Sequence, residues 1–258
     1  MIITTAGKAT SPLIRKAMKL AQTYHIPFKE RQGVSIEKMK MNYQDDVLIV
    51  GKEQLVIAPK NSDTRMLFHP NLAMIRAKRV LKGETEPLIE TAKLKKGMSF
   101  LDCTLGLASD SIMASLVVGP TGRVTGIEGN ELLYLLVKEG LASHITGHLD
   151  IDEAMKRIHV VHEDHLYYLQ HAEANSFDIV YFDPMFQEGI EESNGINAIR
   201  KQAITSDITA EIIEEAKRVA KERVVLKDHW KSKRFQELGF TQFKRKTSLF
   251  HYGTIELR

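Results

Sequence analysis

The chain has 258 residues, 43% of them apolar and 27% charged, with a formal net charge of +3. That balance excludes wholesale disorder, and the length suffices for a large buried core. The single cysteine, Cys103, excludes a disulfide framework or a cysteine-rich zinc module and points to a reducing cytoplasm. No apolar run reaches the roughly 18 residues a membrane span needs, and the N-terminus lacks a signal-peptide pattern.

Met1–Thr4 reads as a short strand and Ser11–Tyr24 as a helix, with Ser11 as N-cap and Pro12 at its first position. Ile26–Arg31 reads as extended and Ser35–Met41 as a short helix. Val47–Val50 and Gln54–Ala58 read as a hairpin turning after Gly51. Residues 1–60 are thus expected to form a small α/β domain, and the polar run Pro59–Thr64 is the best linker. Two linking helices are expected within residues 61–97. One runs from Pro70 to Lys82 and stops at Gly83; the other runs from Thr85, as N-cap, to Lys96 and stops at Gly97.

From residue 98 to 258 the pattern changes to strand, turn and helix in repetition. Candidate strands are Ser99–Cys103, Val124–Glu128, His159–His162, Ile179–Asp183 and Arg223–Lys227. Helices fit at Asp110–Val118, Glu131–Ser143, Asp152–Arg157 and Thr209–Lys221. This predicts a doubly wound, mostly parallel sheet covered on both faces, closed by an antiparallel hairpin of Phe240–Lys246 and Leu249–Leu257.

Charge is segregated along this order. Residues 76–96 hold seven Lys/Arg against three acids, and residues 223–246 hold eight against two. Residues 131–192 hold thirteen acids against three bases. If the two basic stretches meet, they can form a face for a polyanion; solvated helix faces are the plainer reading.

Ligands of doubly wound sheets sit at the carboxyl ends of the strands. The first core strand ends in Asp102-Cys103-Thr104-Leu105-Gly106, where Gly106 lets the backbone approach a ligand and the next helix offers its amides. A full dinucleotide fingerprint is missing, because only one glycine is present. Asp110 suits a helix cap as well as a ligand contact. The second strand ends in Glu128, placed for the two hydroxyls of a ribose, and after the third Asp164 can accept from an adenine amine. The fourth ends in Asp183-Pro184-Met185-Phe186. An exocyclic base amine is a poor nucleophile, because its lone pair is delocalised into the ring. A carboxylate and the carbonyl beside a proline can accept both of its hydrogens and turn the lone pair outward, while Phe186 stacks on the base. Trp230, flanked by Lys227 and Lys231, can stack on a base or anchor the hairpin. Cys103 reads as packing. His159, His162, His165 and His171 lack convergent ligand spacing, so no metal is expected.

The runs DCTLGLASD and DIVYFDPMF, with the acid-ended second strand between them, resemble the ribosomal RNA small-subunit methyltransferase J family of class I S-adenosylmethionine-dependent methyltransferases. The resemblance covers about residues 66–258. It implies a seven-stranded, Rossmann-like sheet, S-adenosylmethionine as cofactor and guanine of small-subunit ribosomal RNA, or a ribosomal particle, as substrate. It implies cofactor contacts at Asp102, Thr104, Gly106, Ser109, Asp110, Glu128, Gly129, Asp164, His165 and Asp183. Val225-Leu226-Lys227 is similar to the family's Val-Val-Lys, which implies Lys227 near the substrate at phosphate or base. The family pattern at the first turn is close to D-A-T-A-G-L-G-R-D, so Ala108-Ser109 stands here for Gly-Arg, and the loop Gln187 to Arg200 is acidic where the family's is Lys-rich. These departures mark a divergent member. They keep a small molecule, a protein amide or DNA open as acceptor, and a non-catalytic nucleic-acid-binding protein open as the reading from another class. Residues 1–60 could bind RNA, shape the entrance or mediate a homodimer.

Overall fold

The computed structural model describes residues 1–184, 207–246 and 248–257. Phe186 and the loop Gln187 to Arg200 lie outside them.

Two sheets make up the molecule. In the first, β1 (Ile2–Thr5) pairs in parallel with β2 (Val47–Val50), which pairs antiparallel with β3 (Leu55–Ala58). The four residues of β2 are all buried because both faces are covered. Leu48 and Val50 face α1 (Ser11–Thr23) through Ala17, Leu20 and Ala21, and Val47 and Ile49 face α2 (Ile36–Tyr43) through Ile36 and Met39. A fourth strand, β4 (Met66–Leu67), pairs with β3, Ile57 opposite Met66. The expected linker at 59–64 is therefore corrected: it is the turn between two paired strands, and its polarity reflects a solvated turn.

Of the linking helices, α3 (Asn71–Leu81) falls where expected. The next, α4 (Pro87–Ala92), is shorter than its pattern. Lys93 takes a left-handed conformation (φ 49°) and ends the helix four residues before Lys96. Its cap is Glu86, whose side chain accepts from the Ile89 amide, and not Thr85.

The second sheet has seven strands in the order β10-β11-β9-β8-β5-β6-β7. These are β5 (Ser99–Asp102), β6 (Arg123–Glu128), β7 (His159–His162), β8 (Phe177–Phe182), β9 (Ala220–His229), β10 (Thr241–Phe243) and β11 (Phe250–Glu256). Strand β11 runs antiparallel to β9 and β10, as the hairpin pattern predicts, and the other pairings are parallel. The doubly wound, seven-stranded Rossmann-like sheet is thus present, with its C-terminal antiparallel hairpin and a small α/β unit in front. Helices α5 (Ser109–Val118), α6 (Glu131–Ser143), α7 (Leu149–Lys156) and α9 (Ala210–Val219) cover it. Two further helices, α8 (His165–His171) and α10 (Arg234–Glu237), have no counterpart in the sequence pattern. The run HLYYLQH holds four aromatic or histidine residues of modest helix propensity, and the Asp164 cap favours its helical start.

The strand order reverses at β5, which pairs with β6 on one side and β8 on the other. A crevice opens at such a point, outside the carboxyl ends. The two sheets share one core: Leu48, Ile57, Phe68, Leu133, Leu136 and Val137 belong to a single buried cluster. At Gly140 of α6 an added Cβ would lie 2.2 Å from the Phe68 ring, so only glycine permits this approach. Nearby, Tyr24 Oη donates to Glu139 Oε1 at 2.5 Å.

Candidate active site

The turn after β5 is built around Asp102. Buried at 2% exposure, it accepts from the Thr104 amide at 3.0 Å and the Ser111 hydroxyl at 2.7 Å. Burial pushes its carboxyl up to about 7. Gly106 and Ala108 then both take left-handed conformations, φ 51° and 63°. The second is costly for alanine, by about 1–2 kcal/mol, and falls where the family pattern has glycine. Ala108 is the N-cap of α5 without a side-chain bond, and Ser109 opens the helix half-buried.

Glu128, at the end of β6, is 8% exposed. It accepts from the amides of Gly106 at 3.2 Å and Asn130 at 2.9 Å, which joins the first two strand ends. Burial raises this carboxyl to about 7. Gly129, half-buried, accepts at its carbonyl from His162 Nε2 at 3.3 Å, with that nitrogen in its protonated tautomer.

The fourth strand end is tied to the first by Thr104, whose hydroxyl accepts from the Asp183 amide at 2.6 Å. Asp183 Oδ2 accepts from Lys227 Nζ at 2.5 Å, while Oδ1 is buried and has no partner among the described residues. Pro184, directly after it, is buried. The same lysine donates to Asp110 Oδ2 at 3.1 Å, where Tyr181 Oη also donates at 2.9 Å. Arg76 of α3 closes the chain, donating from Nη1 to Asp110 Oδ1 at 2.6 Å and gripping Glu86 as well. Two carboxylates thus share one ammonium. Asp110, with Lys227 and Arg76 both beside it, is held well below the usual carboxylate range. Burial and the charge of Asp110 push Asp183 up to about 7, against the pull of Lys227.

Several expectations are corrected by this geometry. Lys227 does not stand free for a phosphate: its side chain, 19% exposed, is held between two carboxylates. Asp110 is not the N-cap of α5, and both its oxygens already accept bonds, Oδ1 from Arg76 and Oδ2 from Lys227 and Tyr181. Asp164 is exposed and caps α8, its Oδ1 accepting from the amides of Leu166 and Tyr167 at 2.9 and 3.0 Å. Trp230 is 44% exposed, with Lys231 Nζ 5.0 Å from its ring centroid, so it does not anchor the hairpin by burial. His165 packs edge-on to Phe182 with its Nε2 buried and unpaired among the described residues. Cys103 is buried, and burial pushes its thiol up, as packing requires. Among the described residues no three His, Cys, Asp or Glu side chains are grouped to hold a metal ion, and no helix is long and apolar enough to cross a membrane.

Arg76 and Tyr181 were missed from sequence. Arg76 counted as one of seven cations in a basic stretch, and nothing in the count reveals that it turns inward toward an acid 34 residues away.

The family model described as "Putative SAM-dependent methyltransferase" matches residues 32–250. The chain belongs to the SAM-dependent methyltransferase family. An uncharacterized Bacillus subtilis protein, YpiP, is 46% identical to this methyltransferase over 255 residues, 99% of each chain. Ribosomal RNA small subunit methyltransferase J of Acinetobacter baylyi is 27% identical over 122 residues, 46% of this chain and 43% of the relative. Its namesake from Buchnera aphidicola is 26% identical over 174 residues, 66% and 68% respectively. In fold, the methyltransferase is similar to the crystal structure of the SAM-dependent methyltransferase NGO1261 from Neisseria gonorrhoeae. The TM-score is 0.63 at 15% identity, covering 99% of this chain and 96% of that one.

S-adenosylmethionine is the cofactor, and the strand ends fit it. Two buried carboxylates, Asp102 and Glu128, stand at the first two strand ends, and the buried Nε2 of His165, after the third, has no partner among the described residues. Glu128 suits the ribose hydroxyls, and the left-handed turn at Gly106 keeps the backbone low beside it.

Proposed function

We propose that this methyltransferase acts on an exocyclic base amine, with guanine N2 of small-subunit ribosomal RNA as the acceptor. The observation that carries the reading is the end of β8, where Asp183 is fixed through one oxygen by Lys227 and keeps the other buried, next to Pro184, with no partner among the described residues. The names of the two distant relatives, both ribosomal RNA small subunit methyltransferase J, support the choice of RNA.

The bound cofactor supplies an electrophilic methyl group; the chain's own residues do the rest. Asp183 Oδ1 and the Pro184 carbonyl accept the two amine hydrogens, which turns the nitrogen lone pair out of the ring plane. Lys227 holds the Asp183 carboxylate in place and favours its ionised form. Thr104 fixes the Asp183 backbone to the first strand end, so acceptor and cofactor sites are in register. Alignment supplies most of the rate, because a held near-attack geometry replaces a strong base. A paired base has to leave its stack to reach this crevice, which costs a few kcal/mol.

Transfer of a tritiated methyl group to RNA, DNA and protein fractions from a strain lacking the gene tests the reading. Label in small-subunit RNA alone is expected, and Asp183→Ala should abolish it while leaving S-adenosylhomocysteine binding in place. Label in protein or DNA, or activity surviving that change, refutes the assignment.

A further inference from the structure

The carboxyl ends of three parallel segments also meet in the first sheet. Strands β1 and β2 are parallel, and Phe28 of the extended stretch before Arg31 bridges Ile3 in parallel on the open side of β1. Beyond these ends lie Gly7 and Lys8, Gly51 and Lys52, and Arg31. This is the position where parallel α/β units carry ligands. Two clefts open there, of about 350 and 440 Å³, and they share Ala6 and Arg31, so together they form one solvent-open trough.

Four cations line the trough, Lys8, Arg31, Lys52 and Arg65, against two acids, Glu30 and Glu53. No ion pair joins any of the four to an acid among the described residues. This differs from the cations of the catalytic unit, where Arg76, Lys227 and Arg234 each hold carboxylates. Arg31 is fixed rather than free-swinging: its Nε donates to the Val34 carbonyl at 2.8 Å. Its Nη1 lies 3.6 Å from where a Cβ on Gly7 would stand, which places the guanidinium beside that loop. Gly51 makes the turn that presents Lys52, since a Cβ there would come within 2.7 Å of the Gln54 carbonyl. Lys8 itself sits in the left-handed region, φ 55°, an uncommon conformation for a lysine.

We infer that this trough binds the phosphodiester backbone of the RNA that is methylated; the inference rests on the RNA reading above. An open, two-lobed trough with unpaired cations and no aromatic lining suits successive phosphates along a strand. It does not suit a base, which needs a stacking platform, or a single enclosed small molecule. The first sheet would then grip the strand and the second would receive the base.

The test measures binding of a labelled single-stranded small-subunit RNA fragment by anisotropy across a salt series. The wild type is compared with the double variant Lys52→Glu, Arg65→Glu, and with Arg31→Gln. The double variant should bind at least tenfold more weakly, and its log–log salt slope should fall by about 1.4, at about 0.7 per lost phosphate contact. Its melting temperature and S-adenosylhomocysteine affinity should be unchanged. Equal affinity and slope in wild type and both variants overturn the trough while leaving the RNA reading intact. Absence of RNA binding by the wild type overturns both. Displacement of the RNA by guanosine monophosphate at equal phosphate concentration overturns the backbone assignment in favour of a free nucleotide.

Discussion

Replacing Lys227 by methionine should move the pH dependence of methyl transfer without removing the Asp183 carboxylate. In the wild type, Asp183 titrates near 7 because burial and Asp110 raise it while Lys227, 2.5 Å from Oδ2, holds it down. An opposite charge at that range lowers a carboxyl by about 1–3 units, so its loss should raise Asp183 to between about 8 and 10. One unit corresponds to about 1.4 kcal/mol between the two protonation states. At pH 7.5 the ionised fraction then falls from about three quarters to between about a quarter and less than a hundredth, a loss of between about threefold and a few hundredfold in rate. Methionine keeps the stem's volume, and Asp110 keeps Arg76, so the carboxylate left behind is neutralised by protonation rather than stranded. The assay is single-turnover transfer to RNA from pH 6 to pH 10, with Lys227→Arg as the charge-retaining control. Rates that recover at high pH in the methionine variant bear the account out. A rate lowered by the same factor at every pH refutes it, because Lys227 would then be acting on the substrate and not through Asp183.

Other parts of the structure are open to equally direct measurement. Glu128→Ala should weaken S-adenosylhomocysteine binding by about tenfold or more, as loss of a charge-assisted bond to hydroxyls implies. Since Glu128 titrates near 7, wild-type affinity in calorimetry should decline as pH drops below that value. Gly140→Ala drives a Cβ into the buried Phe68 ring and should cost about 1–3 kcal/mol, seen as a melting temperature lowered by several degrees. Asp102 has a folded pKa of about 7, raised from 3.8, so the fold retains a proton that the unfolded chain gives up. Its contribution to stability is complete below about pH 4 and is lost as pH rises through 7. Thermal melts at pH 5.5 and 8 should therefore differ more for the wild type than for Asp102→Asn.

The alternation of strand and helix after residue 98 was readable because each strand is a short apolar run closed by a turn, a pattern that survives without tertiary information. The acids that end those strands were readable for the same reason: they interrupt the apolar run at its carboxyl end. What each acid does was less so. Asp164 and Glu128 look alike in sequence, yet one caps α8 at the surface and the other is buried against the Gly106 amide. Charge counting failed in a related way. Arg76, Arg223, Lys227 and Arg234 lie in the two basic stretches but pair with Asp110, Glu256, Asp183 and Asp228. A running charge sum places a cation along the chain and says nothing of the direction it faces. The strand β4 was missed because two residues, Met66 and Leu67, are too few for a period-two signal.

Helix α6 joins features so far treated separately. Its thirteen residues span roughly 20 Å, beginning directly after Glu128, Gly129 and Asn130 and reaching Gly140 and Ser143, where β3 and Phe68, just past β4, rest on it. It is a strut with Glu128 just before one end and the other sheet packed on its flank. The close contact of Phe68 over Gly140 ties the first sheet's flank to the helix, and the helix begins just after Glu128. If RNA docks on the first sheet as proposed, a pull on that sheet is passed along α6 toward Glu128, which would tie donor placement to substrate docking.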